Sequence, residues 1–152
     1  MFDIFKFKKS DKTNIIHDDI FGDLEFIKSK HGGFFSGRII FSPIGSSVSF
    51  SIKQDNLSYP NRDQKEFFKK LISAYPIIEN KIAEIFKTNF REAGLEILDF
   101  KQEFILTHIS INECHDDVSN CELTFEQVQD KNHDFRIVLN NLEPENYLSI
   151  DS

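Results

Sequence analysis

The stretch that decides the fold is residues 61–93, which read NRDQKEFFKKLISAYPIIENKIAEIFKTNFREA. Large apolar side chains recur in this stretch at steps of three and four, the spacing that places residues on one face of an α-helix. The opposite positions are mostly lysine and glutamate, which favour water. The pattern predicts one long amphipathic helix whose apolar face is the main contributor to the core. That face comprises Phe67, Phe68, Leu71, Ile72, Tyr75, Ile78, Ile82, Ile85, Phe86 and Phe90.

Both ends of this helix carry residues that favour a helix terminus. Asn61 or Asp63 can cap the start, because a short side-chain oxygen accepts a hydrogen bond from a backbone N–H that lacks a partner. Gly94 stands where a helix ends in a left-handed conformation, which glycine adopts at little cost. Pro76 removes a backbone donor within the helix. We therefore expect either a kink at Tyr75–Pro76 or two shorter helices.

Three strands are predicted before the helix, over residues 24–27, 34–42 and 46–53. The third alternates most clearly, with Val48, Phe50 and Ile52 on one side and serines on the other, as in a strand with one buried face. Glycines in the intervening stretches, such as Gly33, favour hairpin turns because glycine readily takes a positive φ. These three strands form a predicted antiparallel meander.

Three further strands are predicted after the helix, over residues 104–112, 121–128 and 134–140, and residues 147–150 can add a short one. In the first, alternation puts Ile105 on the same side as Ile109, and His108 on the side of Phe104 and Leu106. The predicted fold class is α+β, with an antiparallel sheet of about six strands and the helix packed on one face.

The length of 152 residues predicts a single domain over residues 1–152, with residues 1–16 as a loose arm or an edge strand. Charges interrupt the apolar residues near the N-terminus, and the chain has no run of eighteen apolar residues, so we expect neither a secretion signal nor a membrane span. The expected location is the cytoplasm, where Cys114 and Cys121 are reduced thiols.

Charge is distributed unevenly along the chain. Residues 1–91 contain 15 basic and 11 acidic side chains, a balance of +4, whereas residues 92–152 contain 3 basic and 14 acidic side chains, a balance of −11. Nucleic acid is an unfavourable partner for the second part, because phosphates are repelled by it. A basic protein is attracted to it.

No catalytic motif is present in the sequence. It contains neither a glycine-rich phosphate loop nor the GxSxG pattern of a nucleophile elbow, so the prediction is a protein that is not an enzyme and has no cofactor. The nearest approach to a metal site is the group of Cys114, His115, Cys121 and His133. It lacks the two close ligand pairs that zinc sites usually have, and we therefore assign no metal.

An acidic run in the second part of the chain is the predicted partner-binding surface. Alternation in the predicted strand over residues 121–128 turns Glu122 and Glu126 to one face, away from the core. Carboxylates gathered at one end of the molecule raise the rate of association with a basic partner. The run comprises Glu113, Asp116, Asp117, Glu122, Glu126, Asp130 and Asp134.

The layout resembles a group of small uncharacterised bacterial domains. Their pattern is an opening F-G-x-L, a strand with an aromatic residue followed by x-G, a long helix that begins near a glutamine, and a closing β-hairpin. Here the matching positions are residues 21–24 and 35–37, Gln64, and the strands over residues 121–128 and 135–139, so the resemblance spans about residues 20–140. Some domains of this kind are immunity proteins, which neutralise a toxin made by the same bacterium.

The resemblance and the charge lead to one principal hypothesis and two alternatives. The principal hypothesis is a cytoplasmic immunity protein that covers the basic cleft of a toxin, such as a nuclease domain, with its acidic surface. One alternative is a small metal protein or enzyme that uses Cys114, His115, Cys121 and His133. The other is a structural domain without small-molecule chemistry. Membranes and nucleic acids are not expected partners.

Overall fold

The computed structural model describes residues 15–30, 32–54, 59–115 and 118–151. These residues form nine strands and two helices, and most strands are consecutive in both sequence and space. The elements are β1 (Ile15–Asp18), β2 (Gly22–Ser29), β3 (Gly32–Phe41), β4 (Ser46–Gln54), α1 (Arg62–Glu92), α2 (Phe100–Glu103), β5 (Phe104–His115), β6 (Val118–Gln127), β7 (Asp134–Asn140), β8 (Glu143–Pro144) and β9 (Ser149–Asp151).

One sheet contains all nine strands, in the order β1 to β8, with β9 also paired to β7. All pairings are antiparallel except that of β4 with β5, which are parallel because the chain crosses between them through α1. The predicted α+β class and the largely antiparallel sheet are confirmed, but about six strands was too few. The additional strands β1 and β8 are four and two residues long, and strands this short give little alternation in sequence. The optional short strand predicted over residues 147–150 overlaps β9.

Helix α1 runs without interruption from Arg62 to Glu92, so the alternative of two separate helices is wrong. Pro76 is exposed, whereas Tyr75 and Ile78 on either side of it are buried against the sheet. This packing on both sides of Pro76 offsets the loss of one backbone hydrogen bond.

The predicted ends of α1 are confirmed. Asn61 accepts a hydrogen bond from the backbone N–H of Gln64, and the Gln64 side chain accepts one in return from the Asn61 N–H. At the other end Gly94 has φ +79°, and the N–H of Leu95 donates to the carbonyl of Phe90 at 2.8 Å.

The core lies between α1 and one face of the sheet and is rich in aromatic rings. Eight of the ten predicted helix residues are buried, and only Ile72 and Ile85 are partly exposed. Phe86 lies at the centre of the aromatic cluster, with its ring 4.8–6.5 Å from the rings of five other residues. These are Phe90, Phe100, Phe104, Phe125 and Phe135.

Strand β5 departs from simple alternation in a way that decides where His108 lies. A β-bulge falls at Thr107. Leu106 pairs with Phe125 and His108 pairs with Thr124, so Thr107 has no paired residue on β6. Phe104 and Leu106 therefore share the buried side with Ile109 and Ile111. The prediction that His108 shares a side with Phe104 and Leu106, and Ile105 a side with Ile109, is wrong, because the extra residue reverses the phase.

Within the described part of the chain, neither helix combines the length and the apolar character that crossing a membrane requires.

Candidate binding face

The sheet has two unlike faces. Its first face is apolar and is buried against α1 and α2. The opposite face, which we call the open face, carries polar side chains that remain at least partly exposed over β3 to β7, with Thr124 as the buried exception. The alternation of β4 and β7 accounts for this division, since Phe50 and Ile137 point to the core while Ser49 and Arg136 point away from it.

A concavity of about 650 Å³ occupies the open face. Its volume lies within the range of protein binding sites. Five neighbouring strands contribute to it, so its floor is a rigid sheet rather than a loop. Its lining includes Arg38, Ser47, Ser49, Ile105, His108, Ser110, Glu122, Thr124, Glu126, Asp134 and Arg136.

His108 lies at the centre of the open face, where β4 and β5 run parallel. Ser49 Oγ is 2.7 Å from His108 Nδ1, and Ser51 Oγ is 3.2 Å from His108 Nε2. Ser49 Oγ can also donate to the backbone carbonyl of Thr107 at 3.1 Å. Burial, together with the nearby Arg136 guanidinium, lowers the pKa of His108 below its ordinary value. At neutral pH the imidazole is therefore uncharged.

The hydrogen bonds of His108 continue across three more strands to the tail of the chain. Ser51 Oγ contacts Ser110 Oγ at 3.2 Å, and Ser110 Oγ donates to Asn112. A ladder of side-chain amides then extends this line, which we call the polar chain. Its further steps are Asn112 to Asn120 at 3.0 Å, Asn120 to Asn140 at 2.9 Å and Asn140 to the Glu145 carboxylate at 2.9 Å.

Three carboxylates stand in register at the side of the concavity nearest the tail. Glu126 of β6 is directly opposite Asp134 of β7, and Asp134 is directly opposite Asp151 of β9. We call these three residues the acidic row. Like charges that face each other across a strand pair destabilise a sheet, so the acidic row is an unfavourable arrangement for the isolated fold.

The three carboxylates that line the concavity have no side-chain partner. The side-chain carboxylates of Glu122, Glu126 and Asp134 make no hydrogen bond or ion pair with any other described residue. Asp151, which does not line the concavity, is paired, because its carboxylate lies 3.0 Å from the Arg136 guanidinium. Three negative charges are thus left to interact with whatever enters the concavity.

Two arginines flank the carboxylates. Arg38 donates from Nε to Ser47 Oγ at 3.3 Å and has no carboxylate partner among the described residues. Arg136 is occupied by Asp151. The lining of the concavity is therefore of mixed sign, with three unpaired carboxylates against one unpaired guanidinium.

The structure brings together only part of the predicted acidic surface. Glu122, Glu126 and Asp134 share the concavity, as the sequence suggested for the first two. Glu113 is exposed near the far end of β5, with its carboxylate 3.6 Å from His115. Asp130 lies in the turn after β6, where the Asn132 N–H and the His133 ring bind its carboxylate and lower its pKa. Asp116 and Asp117 lie outside the described residues.

The four residues of the metal alternative do not converge. Cys121 and His133 lie toward opposite ends of the β6–β7 hairpin, because Cys121 pairs with Leu139 whereas His133 precedes the first residue of β7. No group of three or more potential ligands that could hold a metal is found among the described residues.

Neither thiol is poised to react. Cys114 and Cys121 are both buried and unbridged. Burial raises the pKa of the Cys114 thiol to about 11 and also raises that of Cys121. Both side chains therefore remain protonated at neutral pH.

Sequence reasoning missed His108, the two arginines and Asp151. The bulge at Thr107 concealed His108, since a strict period of two assigns it to the wrong face. Arg136 could have been found, because the alternation of β7 placed it opposite Phe135 and Ile137. Asp151 depended on a register that a three-residue strand does not reveal.

No protein-family model, no curated protein and no solved structure matches this chain.

Proposed function

We propose that this chain is a non-catalytic binding protein that recognises a basic protein through the open face of its sheet. In this proposal it acts as an immunity protein, which neutralises a bacterial toxin in the cytoplasm by occupying a basic cleft. The single observation that carries the proposal is the set of three unpaired carboxylates, Glu122, Glu126 and Asp134, within a concavity on a rigid sheet.

The acidic row supports the proposal because repulsion between its carboxylates is unfavourable for the free fold. Glu126 and Asp134 face each other across β6 and β7 without a cation between them. A fold gains no stability from this placement, whereas a lysine or arginine of a partner would relieve the repulsion. Protein binding sites often retain residues that are unfavourable for the free fold.

The acidic row also lies at a concavity rather than on a flat surface, which strengthens its interaction with a basic group. Charged side chains on a flat surface interact weakly because water screens them, but a concavity with a hydrogen-bonded floor excludes part of that water. A basic group that enters the concavity meets several carboxylates at once. The same geometry favours fast association, which a toxin inhibitor requires.

The hydrogen bonds of His108 favour a role in binding over a role in catalysis. Serine and histidine side chains within 2.7 Å of each other also occur in hydrolases. Here, however, both ring nitrogens contact serines that are themselves linked to other groups. This arrangement makes His108 part of the rigid floor.

The test removes the three unpaired charges together. The tagged chain captures its partner from a lysate of its native host, and the polypeptide encoded beside it is tested by coexpression. The variant carries Glu122→Gln, Glu126→Gln and Asp134→Asn. We expect association with the partner at low salt to slow on the order of ten-fold, with a smaller dependence on ionic strength.

A matched control removes three charges elsewhere. Glu84, Glu92 and Glu96 are exposed on α1 and the loop that follows it, and do not line the concavity. Changing all three to glutamine should leave the association rate near that of the wild type. Equal rates for the wild type and the open-face variant at low salt would show that the proposal is wrong.

A further inference from the structure

The hydrogen bonds of the polar chain all run in one donor-to-acceptor direction. That direction determines which ring nitrogen of neutral His108 carries the proton. The Glu145 carboxylate carries no hydrogen, so it only accepts, and the Asn140 amide nitrogen must face it. The Asn140 oxygen then faces Asn120, and the same reasoning orients each amide as far as Asn112. At Asn112 the group that faces Ser110 is therefore an oxygen, which again only accepts.

The serines transmit this direction to the imidazole, because each hydroxyl has a single hydrogen to donate. Ser110 uses its hydrogen on Asn112, so it can only accept from Ser51. Ser51 in turn uses its hydrogen on Ser110, and therefore presents only lone pairs to His108 Nε2. The bond between Ser51 and His108 can form only if Nε2 carries a proton.

The other ring nitrogen has two possible states, and Ser49 is placed to serve both. When Nδ1 is unprotonated, it accepts the Ser49 hydroxyl hydrogen across 2.7 Å. When Nδ1 carries a proton, it donates to Ser49 Oγ, and the hydroxyl hydrogen turns to the Thr107 carbonyl at 3.1 Å. No heavy atom has to move between these states. The bulge at Thr107 supplies the second acceptor.

We propose that His108 is a pH-sensitive element of the open face: uptake of a proton on Nδ1 in acid, with rotation of the Ser49 hydroxyl, adds a positive charge to the face and weakens its hold on a basic partner. This inference rests on the proposed function for its consequence, but the proton assignment itself does not. His108 is uncharged at neutral pH because its pKa lies below the ordinary value. The charge therefore appears, and binding weakens, as the pH falls through that lowered pKa.

The charged groups around His108 determine how much the added positive charge changes the electrostatic potential of the concavity. Arg38 projects from β3, and Arg136 from β7 favours the neutral imidazole. Glu122 and Glu126 of β6 flank Thr124, the residue opposite His108, and Asp134 and Asp151 lie beyond them on β7 and β9. With His108 neutral, three unpaired carboxylates face one unpaired guanidinium. Protonation brings a second unpaired cation into the same concavity.

The proton assignment is tested by nitrogen NMR of the free chain, which needs no partner. In the wild type at neutral pH we expect Nε2 protonated and Nδ1 unprotonated, and in acid both nitrogens protonated. Asn112→Ala breaks the polar chain without contacting His108. In that variant Ser110 is free to donate to Ser51, so neutral His108 should become a mixture of the two tautomers. A wild-type Nδ1–H tautomer, or an unchanged tautomer in the variant, would overturn the assignment.

The consequence for binding is tested with hexalysine as a basic probe. Between about pH 7 and the pH at which NMR shows both His108 nitrogens protonated, the affinity of the wild type should fall about two- to five-fold more than that of His108→Gln, which cannot take up the proton. An equal fall would overturn the pH dependence even if the NMR assignment were correct. Failure of hexalysine to compete with the captured partner at any pH would instead contradict the proposed function.

Discussion

Glu126 and Asp134 stand directly opposite each other on β6 and β7, two negative charges in register with no cation between them. If the acidic row is kept for binding, its removal should stabilise the free protein. We expect Glu126→Gln to raise the free energy of unfolding by about 0.2–1 kcal/mol at low salt, and the gain to shrink as salt screens the repulsion. Urea denaturation at two ionic strengths measures both effects.

Glu122 provides the comparison for this prediction. It lies on the same strand and the same face as Glu126, but the residue that pairs with it on β7 is the uncharged Val138. Glu122→Gln should therefore leave the free energy of unfolding nearly unchanged. Destabilisation by Glu126→Gln would mean that the carboxylate has a structural role in the free fold.

The turn between β7 and β8 contains a strained leucine. Asn141 has φ +52° and Leu142 has φ +67°, the pattern of a two-residue hairpin turn in which glycine is usual at the second position. Leu142 also packs against the core, so its replacement loses contacts whatever the new residue. Comparing Leu142→Gly with Leu142→Ala separates the two effects. We expect the glycine variant to be more stable than the alanine variant by about 1 kcal/mol.

That order reverses the usual one, since glycine at ordinary backbone angles is less stable than alanine. Thermal and urea unfolding of the two variants side by side are sufficient to measure it. If alanine were the more stable replacement, the left-handed conformation of residue 142 would not be a source of strain.

Asp18 connects the first turn of the sheet to α1. Its Oδ1 accepts the backbone N–H groups of Ile20 and Phe21 at 2.8 and 2.9 Å, and its Oδ2 lies 3.0 Å from Lys65 Nζ. Because this carboxylate is buried, we expect Asp18→Ala to lower the free energy of unfolding by about 2–4 kcal/mol. Chemical denaturation provides the measurement.

The neighbouring Asp19 is a stringent control. It also pairs with Lys65, at 3.1 Å, but its side chain is 79% exposed. Asp19→Ala should therefore change stability little or not at all. Similar losses for the two variants would show that the effect of Asp18 arises from general charge rather than from its buried hydrogen bonds.

The two thiols should be inert in the folded protein. Burial raises the pKa of the Cys114 thiol from 9.0 to about 11, so the reactive thiolate is scarce at neutral pH. We expect iodoacetamide to leave both cysteines unmodified in buffer and to modify both in urea. Because the fold favours the neutral thiol, this contribution to stability is complete below pH 9.0 and is lost as the pH rises toward about 11. Rapid labelling of native Cys114 would contradict the buried position.

The sequence predicted the helix and six principal strands because their patterns are long. Ten apolar positions repeat through α1, and Ser46–Gln54 alternates with almost no exception, so local pattern and tertiary packing agree. The count of strands failed where elements were shorter than five residues, as in β1 and β8. Their pairing depends on partners distant in sequence.

The candidate site was predicted only in part. Alternation correctly turned Glu122 and Glu126 away from the core, but the acidic run was grouped by charge alone, although Asp130 falls between the predicted strands over residues 121–128 and 134–140. His108 was assigned to the wrong side because one extra residue at Thr107 reverses the phase of β5. The charge imbalance pointed to the part of the chain that contains Glu122, Glu126 and Asp134, and strand register was needed to bring Asp134 and Asp151 together.

In the proposed complex the open face, and not the acidic surface in general, contacts the partner. Carboxyl footprinting of the chain with and without its captured partner tests this most directly, because a water-soluble carbodiimide modifies exposed carboxylates at rates that mass spectrometry resolves by residue. We predict that complex formation protects Glu122, Glu126 and Asp134, while Glu84, Glu92 and Glu96 react as in the free protein. Unchanged modification of the first three, with protection of the second three, would contradict the account.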